Sequence, residues 1–547
     1  MIRRRGNRRH RRRFATSAAA QTAAPAPLIT RWRDAWRDYL QRHPTEARWH
    51  RRLLSGPWTD PPRYFYARWL FLRVLGIICF IAFASLWGQI GALFGSEGIL
   101  PAAQLMEAVH EKLGIVGLWT YPSLAWFSHS DSMLYALCGV GAFASVMLTV
   151  GVLPSASLAV VWLCYLSLST VARVFLGFQW DTLLLEVVFL GMLLAPGQLL
   201  PRWSRERAPS FLSVLLIRLL LFRLMVSSGI AKLTSGDTAW RQLEALLYHY
   251  ETQPIPNALA WFAHHLPAGF HSASVAIMFL IQLLLPLLIF TPRIPRLIGA
   301  VAIASLQILI LLTGNYCFFN LLSLALCLLL LDDQLLSAFL PKRIPRPPAK
   351  PEPPFAVARI AVAACALIIL PLAYIQMKPR VFKMELGPVE KRLQSWAAPF
   401  RTVNGYGLFA DMTESRPEIE VQGSHDGVEW KTYVFHYKPG PLDRRPPQVA
   451  PHQPRLDWQM WFEALRVSHN AGPSEWFKRF LICLLEGREV VLTEMAENPF
   501  PDEPPRFVRA HWHNYRFTTT EQRSETGDWW QREEGGVYVR PSSLPSK

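Results

Sequence analysis

The chain has 547 residues, 51% of them hydrophobic, and a formal net charge of +17. Its apolar runs are long enough to cross a bilayer, which excludes an ordinary soluble globule. The charge is concentrated: residues 1–68 hold 17 arginines against Asp34, Asp38, Glu46 and Asp60, a surplus of +13, and the other 479 residues carry only +4. This distribution argues against nucleic acid as a partner and for a basic cytoplasmic tail resting on anionic membrane lipid. RNA binding by RRRGNRRHRRRF is the alternative. No short apolar core with a small-residue cleavage site follows, so the tail does not read as a signal peptide.

Beyond the tail the hydropathy pattern predicts an α-helical polytopic membrane protein of about nine spans. They fall at roughly 69–94, 132–153, 157–177, 181–196, 210–232, 270–290, 297–313, 316–331 and 356–376. The fourth and eighth are short for a ~30 Å core and could be re-entrant or interior helices. With the N-terminus in the cytoplasm, the inner loops after the tail hold nine basic residues, from Arg202 to Lys350, and the outer loops hold only Lys112 and Arg241. That asymmetry fits the orientation and places the C-terminal region outside. Residues 103–113 read as a short amphipathic surface helix, and KRIPRPPAKPEPP (342–354) as an extended linker. The domains are then a basic tail (1–68), a multi-span domain (69–376) and an extracytoplasmic β-rich domain (377–547).

The C-terminal region is electrically neutral, with 23 basic and 23 acidic residues. EIEVQGSHDGVEWKTYVFHYK (418–438) alternates apolar and polar residues around SHDG, a hairpin signal. RFVRAHWHNYRFT (506–518) and GVYV (536–539) read as strands; DWQMWFEAL (457–465) and WFKRFLICLLEG (476–487) read as amphipathic helices.

Ionisable residues inside spans are costly and usually face an interior or a cavity. Here they are Arg73, Arg173, Asp181, Glu186, Arg218, Arg223 and Lys232. Arg173 and Glu186 lie at matching depths of roughly 6–8 Å from the outer face, which predicts a pair. Asp181 and Lys232 are near the same boundary and could pair likewise. One reading is structural, paired charges fixing helix register. The other is a polar cavity open to the outside, with Lys232 as a base and Arg223, Glu186 and Asp181 as charge partners. Ser227, Ser228 and Gly229 permit either close helix packing or room for a ligand.

The segment 227–267 leaves the fifth span as a loop dense in aromatics, histidines and prolines. Tyr248, His249, Tyr250, Glu251, Trp261 and His264 are candidates there for contact with a protein client. A metal site among its histidines is the sharper alternative, but no HExxH or H-x₃-H spacing is present. Neither a metal nor a cofactor is expected. Six of the seven cysteines lie in or beside apolar spans, only Cys483 lies in the C-terminal region, and no CxxC occurs. Phosphate-binding, dinucleotide and nucleophile-elbow motifs are missing too.

Several long segments, in order, carry a resemblance: YARWLFLRVLGIICFIAFASL (66–86), GSEGILPA (95–102), WDTLLLEVVFLGMLLAP (180–196), LFRLMVSSGIAKLTSGDTAW (221–240), YHYETQPIPNALAWFAHHLP (248–267), GNYCFFNLL (314–322), NGYGLFADMTESRPEIEVQGSHDGVEW (404–430), APHQPRLDWQMWFEAL (450–465) and NPFPDEPPRFVRAHWHNYRF (498–517). On these the chain resembles the lipase maturation factor family along nearly its whole length after the tail. The resemblance implies a multi-span protein that assists folding and assembly of secreted lipases. It further implies an endoplasmic reticulum membrane in animal members and a bacterial inner membrane if the Arg-rich leader marks a bacterial one. The C-terminal region is implied to contact the client, with Trp430, Asp457, Trp458 and Trp461 as candidates. SGIAKLTSGDTAW also resembles the span end of vitamin K-dependent γ-carboxylase-type proteins, which implies Lys232 as a catalytic base acting on a lipid or quinone-like substrate. Two functions compete, a non-enzymatic maturation factor and a membrane enzyme.

Overall fold

The computed structural model describes residues 62–200, 206–341, 344, 346–348 and 352–545. The predicted basic tail lies outside the described residues except for 62–68, as do Arg202, Arg205, Lys342, Arg343 and Lys350.

The first membrane helix is α1 (Phe65–Trp87), whose first turn has no cap of its own. The Asp333 carboxylate supplies one, accepting from the N–H groups of Phe65 (3.0 Å) and Tyr66 (2.8 Å). The amphipathic α2 (Ala102–Leu113) follows, and then α3 (Asp131–Val150), where the Ser130 hydroxyl caps the Met133 N–H. Pro154 opens α4 (Pro154–Val171), and α5 (Gln179–Leu194) comes next. The lysine-bearing helix is α6 (Phe211–Thr234). The aromatic loop folds into α7 (Ala245–Thr252) and α8 (Ala258–His264), the latter capped by Asn257. The next span runs over Ala268–Phe290. It begins as α9 (Ala268–Phe279) and passes through a π turn at Leu280–Leu284 ahead of Pro286, whose ring removes a regular helix bond. Then come α10 (Arg293–Thr313), the bent pair α11 (Phe319–Leu328) and α12 (Asp333–Phe339), and α13 (Ala356–Val381).

Among the described residues seven helices are long and apolar enough to cross a membrane, or eight if the bent pair is one span. All nine predicted segments are helical, so the difference lies in the two short ones. Helix α5 has 16 residues and most are buried, as in an interior helix. The pair α11–α12 bends by 112°. Its loose carbonyls are satisfied by arginines: Arg218 donates twice to the Leu329 carbonyl (3.1 and 2.9 Å), and Arg296 donates to that of Leu330 (2.9 Å). Asp332 at the bend pairs with Arg293 (2.5 Å) and Arg296 (3.4 Å).

At the other end of the spans sits a cap built from the C-terminal region. It opens with α14 (Pro388–Ala397) and continues with β1 (Arg416–Ser424), β2 (Lys431–Thr432) and β3 (Val434–Phe435). Next are α15 (Arg455–Ser468), α16 (Glu475–Leu485), β4 (Met495–Glu497), β5 (Phe507–Phe517), α17 (Thr520–Thr526) and β6 (Trp530–Ser542). The sheet order is β2-β1-β5-β6, with all neighbours antiparallel, and β3 pairs with β4. The expected hairpin forms at SHDG: Asp426 accepts from the N–H groups of Val428 and Glu429, and Gly427 takes a φ of +77°. GVYV lies inside β6.

Four separate loops of the membrane domain meet this cap. Gln89 donates to the Gln453 carbonyl (2.8 Å), Gln459 to that of Val174 (2.6 Å), Arg416 to that of Glu251 (2.6 Å) and Asn315 to that of Pro447 (2.8 Å). The basic-residue asymmetry assigns all four loops to one side, and here they share one face.

Candidate functional site

The ionisable residues of the spans converge with the cap in a buried polar seam, and their partners differ from those that depth alone suggests. Glu186, on α5, pairs with Arg223 on α6 at 2.7 Å, not with Arg173. The reason is helix length: α4 ends at Val171, which leaves Arg173 outside it in a turn with φ +50°. Asp181 does not pair with Lys232. Its carboxylate takes both guanidinium nitrogens of Arg455, at 2.9 and 3.1 Å, and the Tyr165 hydroxyl at 2.5 Å. Arg455 is the first residue of the sequence RLDWQMW and comes from the cap, some 270 positions away in sequence.

Glu186 and Arg223 together hold the backbone of the cap's entry strap. The Arg223 guanidinium donates to the Asn404 carbonyl (2.5 Å). Glu186 accepts from the Asn404 N–H (2.8 Å), its side-chain amide (3.1 Å) and the Tyr406 hydroxyl (2.7 Å). Lys232, about two and a half turns further along α6, extends the grip: its ammonium donates to the Ser228 carbonyl (3.2 Å) and, across the seam, to that of Leu408 (3.1 Å), 5.2 Å from the Trp240 ring. Trp240 itself donates to the Phe409 carbonyl (3.0 Å), and Asp237 accepts from the Met412 N–H (2.7 Å). The strap NGYGLFADM is thereby bonded nearly residue by residue. Its glycines allow the approach, since a Cβ at Gly405 would stand 2.5 Å from the Arg380 guanidinium and one at Gly407 3.0 Å from Ala231.

This geometry gives Lys232 a packing role. A base needs room for a substrate proton within hydrogen-bond reach. Here the space is filled by the strap, and the small residues before the lysine serve packing: a Cβ at Gly229 would meet Leu283 at 2.7 Å. The four charges Asp181, Glu186, Arg223 and Lys232 lie in one seam, each bonded to the cap.

The aromatic loop forms the middle of the sandwich. Arg416, fully buried, donates to the carbonyls of Glu251, Gln253 and Pro254 and pairs with Glu418 at 2.7 Å. The Glu251 side chain accepts from the Phe517 N–H (3.0 Å) and lies 3.8 Å from His264. His249 shares a hydrogen bond with the Tyr316 hydroxyl (3.0 Å), which donates to Gln253 (2.8 Å). Burial and the nearby Lys232 ammonium push His249 down to about 4, and burial with His265 and His271 nearby does the same to His264, so both are neutral near pH 7. Burial raises the Glu251 carboxyl. Among the described residues no three His, Cys, Asp or Glu side chains are grouped to hold a metal ion.

The suggested client contacts separate into two groups. Trp261, Asp457, Trp458 and Trp461 are buried. Trp458 packs edge-on to Trp180 at 4.7 Å, Trp461 donates to the Thr252 carbonyl (2.8 Å), and Asp457 caps the Tyr437 and Lys438 N–H groups at 2.8 Å. Trp458 and Trp461 thus pack into the joint between spans and cap, and Asp457 bonds within the cap. Tyr248, His249, Tyr250, Glu251 and His264 are half-buried in the same sandwich. Trp430 stands at the hairpin tip with Arg509 over its ring at 4.1 Å. Sequence reasoning missed Arg455, Arg416, Asn404, Tyr406 and Asn315, the partners that complete the seam. Their signal was present in the uncommon segments NGYGLFADM, APHQPRLDW and GNYCFF, which are too polar for the apolar patterns around them.

A helical integral membrane protein with a β-sheet cap bonded through its own buried charges is the class that fold and seam define. The chain belongs to the lipase maturation factor family. The family's transmembrane-domain model matches residues 66–338 and its C-terminal-domain model residues 402–540. The chain is 35% identical to lipase maturation factor 2 of Homo sapiens, with 85% of this chain and 81% of the relative covered. It is 32% identical to lipase maturation factor 1 of Bos taurus, with 88% and 89% covered. No solved structure matches it. The carboxylase likeness gains nothing from these relatives.

Proposed function

We propose that this protein is a membrane-embedded maturation factor that assists folding of exported lipases, with the cap as the part that meets the client. The observation that carries the reading is membership of the family across both the membrane and the C-terminal domain. The surface best suited to a client is the outer part of the sheet. Strand β6 is 13 residues long, ends the sheet order and has no neighbour on its far side among the described residues. Such an edge offers main-chain N–H and C=O groups to an incomplete strand of another chain, whatever its sequence. Val428, 79% exposed, and Trp430 stand at the β1–β2 hairpin tip, on the β2 side of the same sheet.

The domain division is a basic tail, spans over 69–376 and an exported cap over 377–547, with the N-terminus cytoplasmic. The membrane is the bacterial inner membrane or the endoplasmic reticulum according to the cell. Two experiments test the reading. Co-expression with a secreted lipase should give active enzyme only with the maturation factor present, and Val428→Asp with Val537→Asp should reduce that yield at unchanged factor level. Full yield from the double variant removes the sheet edge as the client surface; no lipase dependence at all removes the maturation role. A Val428→Cys thiol should react with an impermeant maleimide from outside the cytoplasm; reaction only after the membrane is opened reverses the orientation.

A further inference from the structure

One corner of the cap combines unpaired cations with an apolar stripe at the ends of two spans. Helix α9 begins at Ala268 and α10 ends at Thr313 on this same face. Next to them Leu259, Phe262, Leu266 and Phe270 form a stripe, each side chain 41–53% exposed. Above the stripe stands Trp529, with the Arg523 guanidinium 3.7 Å from its ring centre and that of Arg445 at 5.9 Å. Arg523 also lies over Trp261 at 4.8 Å, and its Nε is buried without an acceptor. Neither arginine has a carboxylate within ion-pair distance among the described residues. Arg455, Arg416 and Arg223 differ from them in each meeting a carboxylate. Two guanidinium groups beside one indole, neither with a carboxylate partner, form a pair of cations able to receive an anion.

Beside Arg445 an open cleft of about 740 Å³ runs between Pro446–Pro447 and the leucines 259, 311, 312 and 321. Its volume falls within the range of small-molecule sites, and its floor includes Leu311 and Leu312 from the last turn of α10, a helix apolar enough to cross a membrane. A soluble anion would have no use for that floor. A client surface would not require the cations to stand at the membrane boundary.

We propose that this corner seats an anionic glycerophospholipid, with its phosphate on Arg523 and Arg445 and an acyl chain in the cleft over Leu259 and Leu312. The site is independent of the client reading. It would fix the cap against the bilayer at the edge of the aromatic loop, where the seam's own charges do not reach.

The test is lipid retention by the full-length protein, purified from mixed phosphatidylglycerol and phosphatidylcholine vesicles and read by native mass spectrometry. The wild type should retain phosphatidylglycerol in preference. Arg445→Gln, at an exposed position, should lower the preference about fivefold, and Arg445→Gln with Arg523→Gln about thirtyfold. Arg445→Lys with Arg523→Lys should keep most of it. Unchanged preference in the folded Gln variants overturns the proposal. Displacement of the lipid by inorganic phosphate alone overturns it too, because the site is then a phosphate site. If the double variant fails to fold, the single Arg445→Gln variant still decides.

Discussion

The seam and the outer sheet edge are both rich in polar groups, yet they differ in who satisfies them. In the seam Asp181, Glu186 and Arg455 are fully or nearly fully buried and every one of them is bonded across two elements. At the edge, β6 leaves one side of its backbone open and its side chains largely exposed. A polar network bonded between elements specifies a single arrangement, and an open sheet edge invites a partner. Residues that look catalytic in the sequence are bonded into the joint between spans and cap, and the open main-chain groups lie at β6.

The largest expected effect follows from breaking the seam. Arg455→Ala leaves the Asp181 carboxylate buried without a cation and should destabilise the protein by about 3–5 kcal/mol. Thermal unfolding in detergent and protease sensitivity of the cap would show it. Glu186→Ala should act in the same range, because it strands Arg223 and frees Asn404 and Tyr406 together.

A smaller effect concerns pH. Burial, with Asp457 nearby, raises the Glu494 carboxyl from 4.5 to about 8. Folding thus favours its protonated form, so its contribution is intact below the unfolded carboxyl range and is lost as pH rises through about 8. Glu494→Gln should raise the unfolding temperature clearly at about pH 9 and little at about pH 5. Equal gains at both values contradict the assignment. Smaller again is Lys232→Met. It removes the donor to the Leu408 carbonyl and should cost about 1–2 kcal/mol, with lipase maturation retained. Loss of maturation in a folded variant would return Lys232 to chemistry. At the edge, Val428→Asp and Val537→Asp should each alter stability by no more than about 0.5 kcal/mol while lowering the yield of active lipase.

Much of the architecture was legible because hydropathy and turn chemistry are local. Each of the nine apolar segments is a helix, and SHDG, RFVRAHWHNYRFT and GVYV lie where their patterns put them. The pairing of charges was not, since it depends on contacts between residues far apart. Depth along a span could match Arg173 with Glu186, but it could not show that α4 stops short of Arg173. Nor could it show that Arg455 arrives from the cap to take Asp181. The motif NGYGLFADM was visible as a string, and only the fold reveals it as the strap that the buried charges hold.

The central claim, that the buried charges of the spans hold the cap, is tested most directly by a double-mutant cycle on Asp181 and Arg455. Unfolding of the wild type, Asp181→Asn, Arg455→Gln and the double variant would be followed under one detergent condition. The account predicts strong coupling, with the double variant losing far less than the sum of the singles and an interaction of about 2 kcal/mol or more. Additive losses would mean that the two side chains do not act on each other, and the seam would not be the joint described.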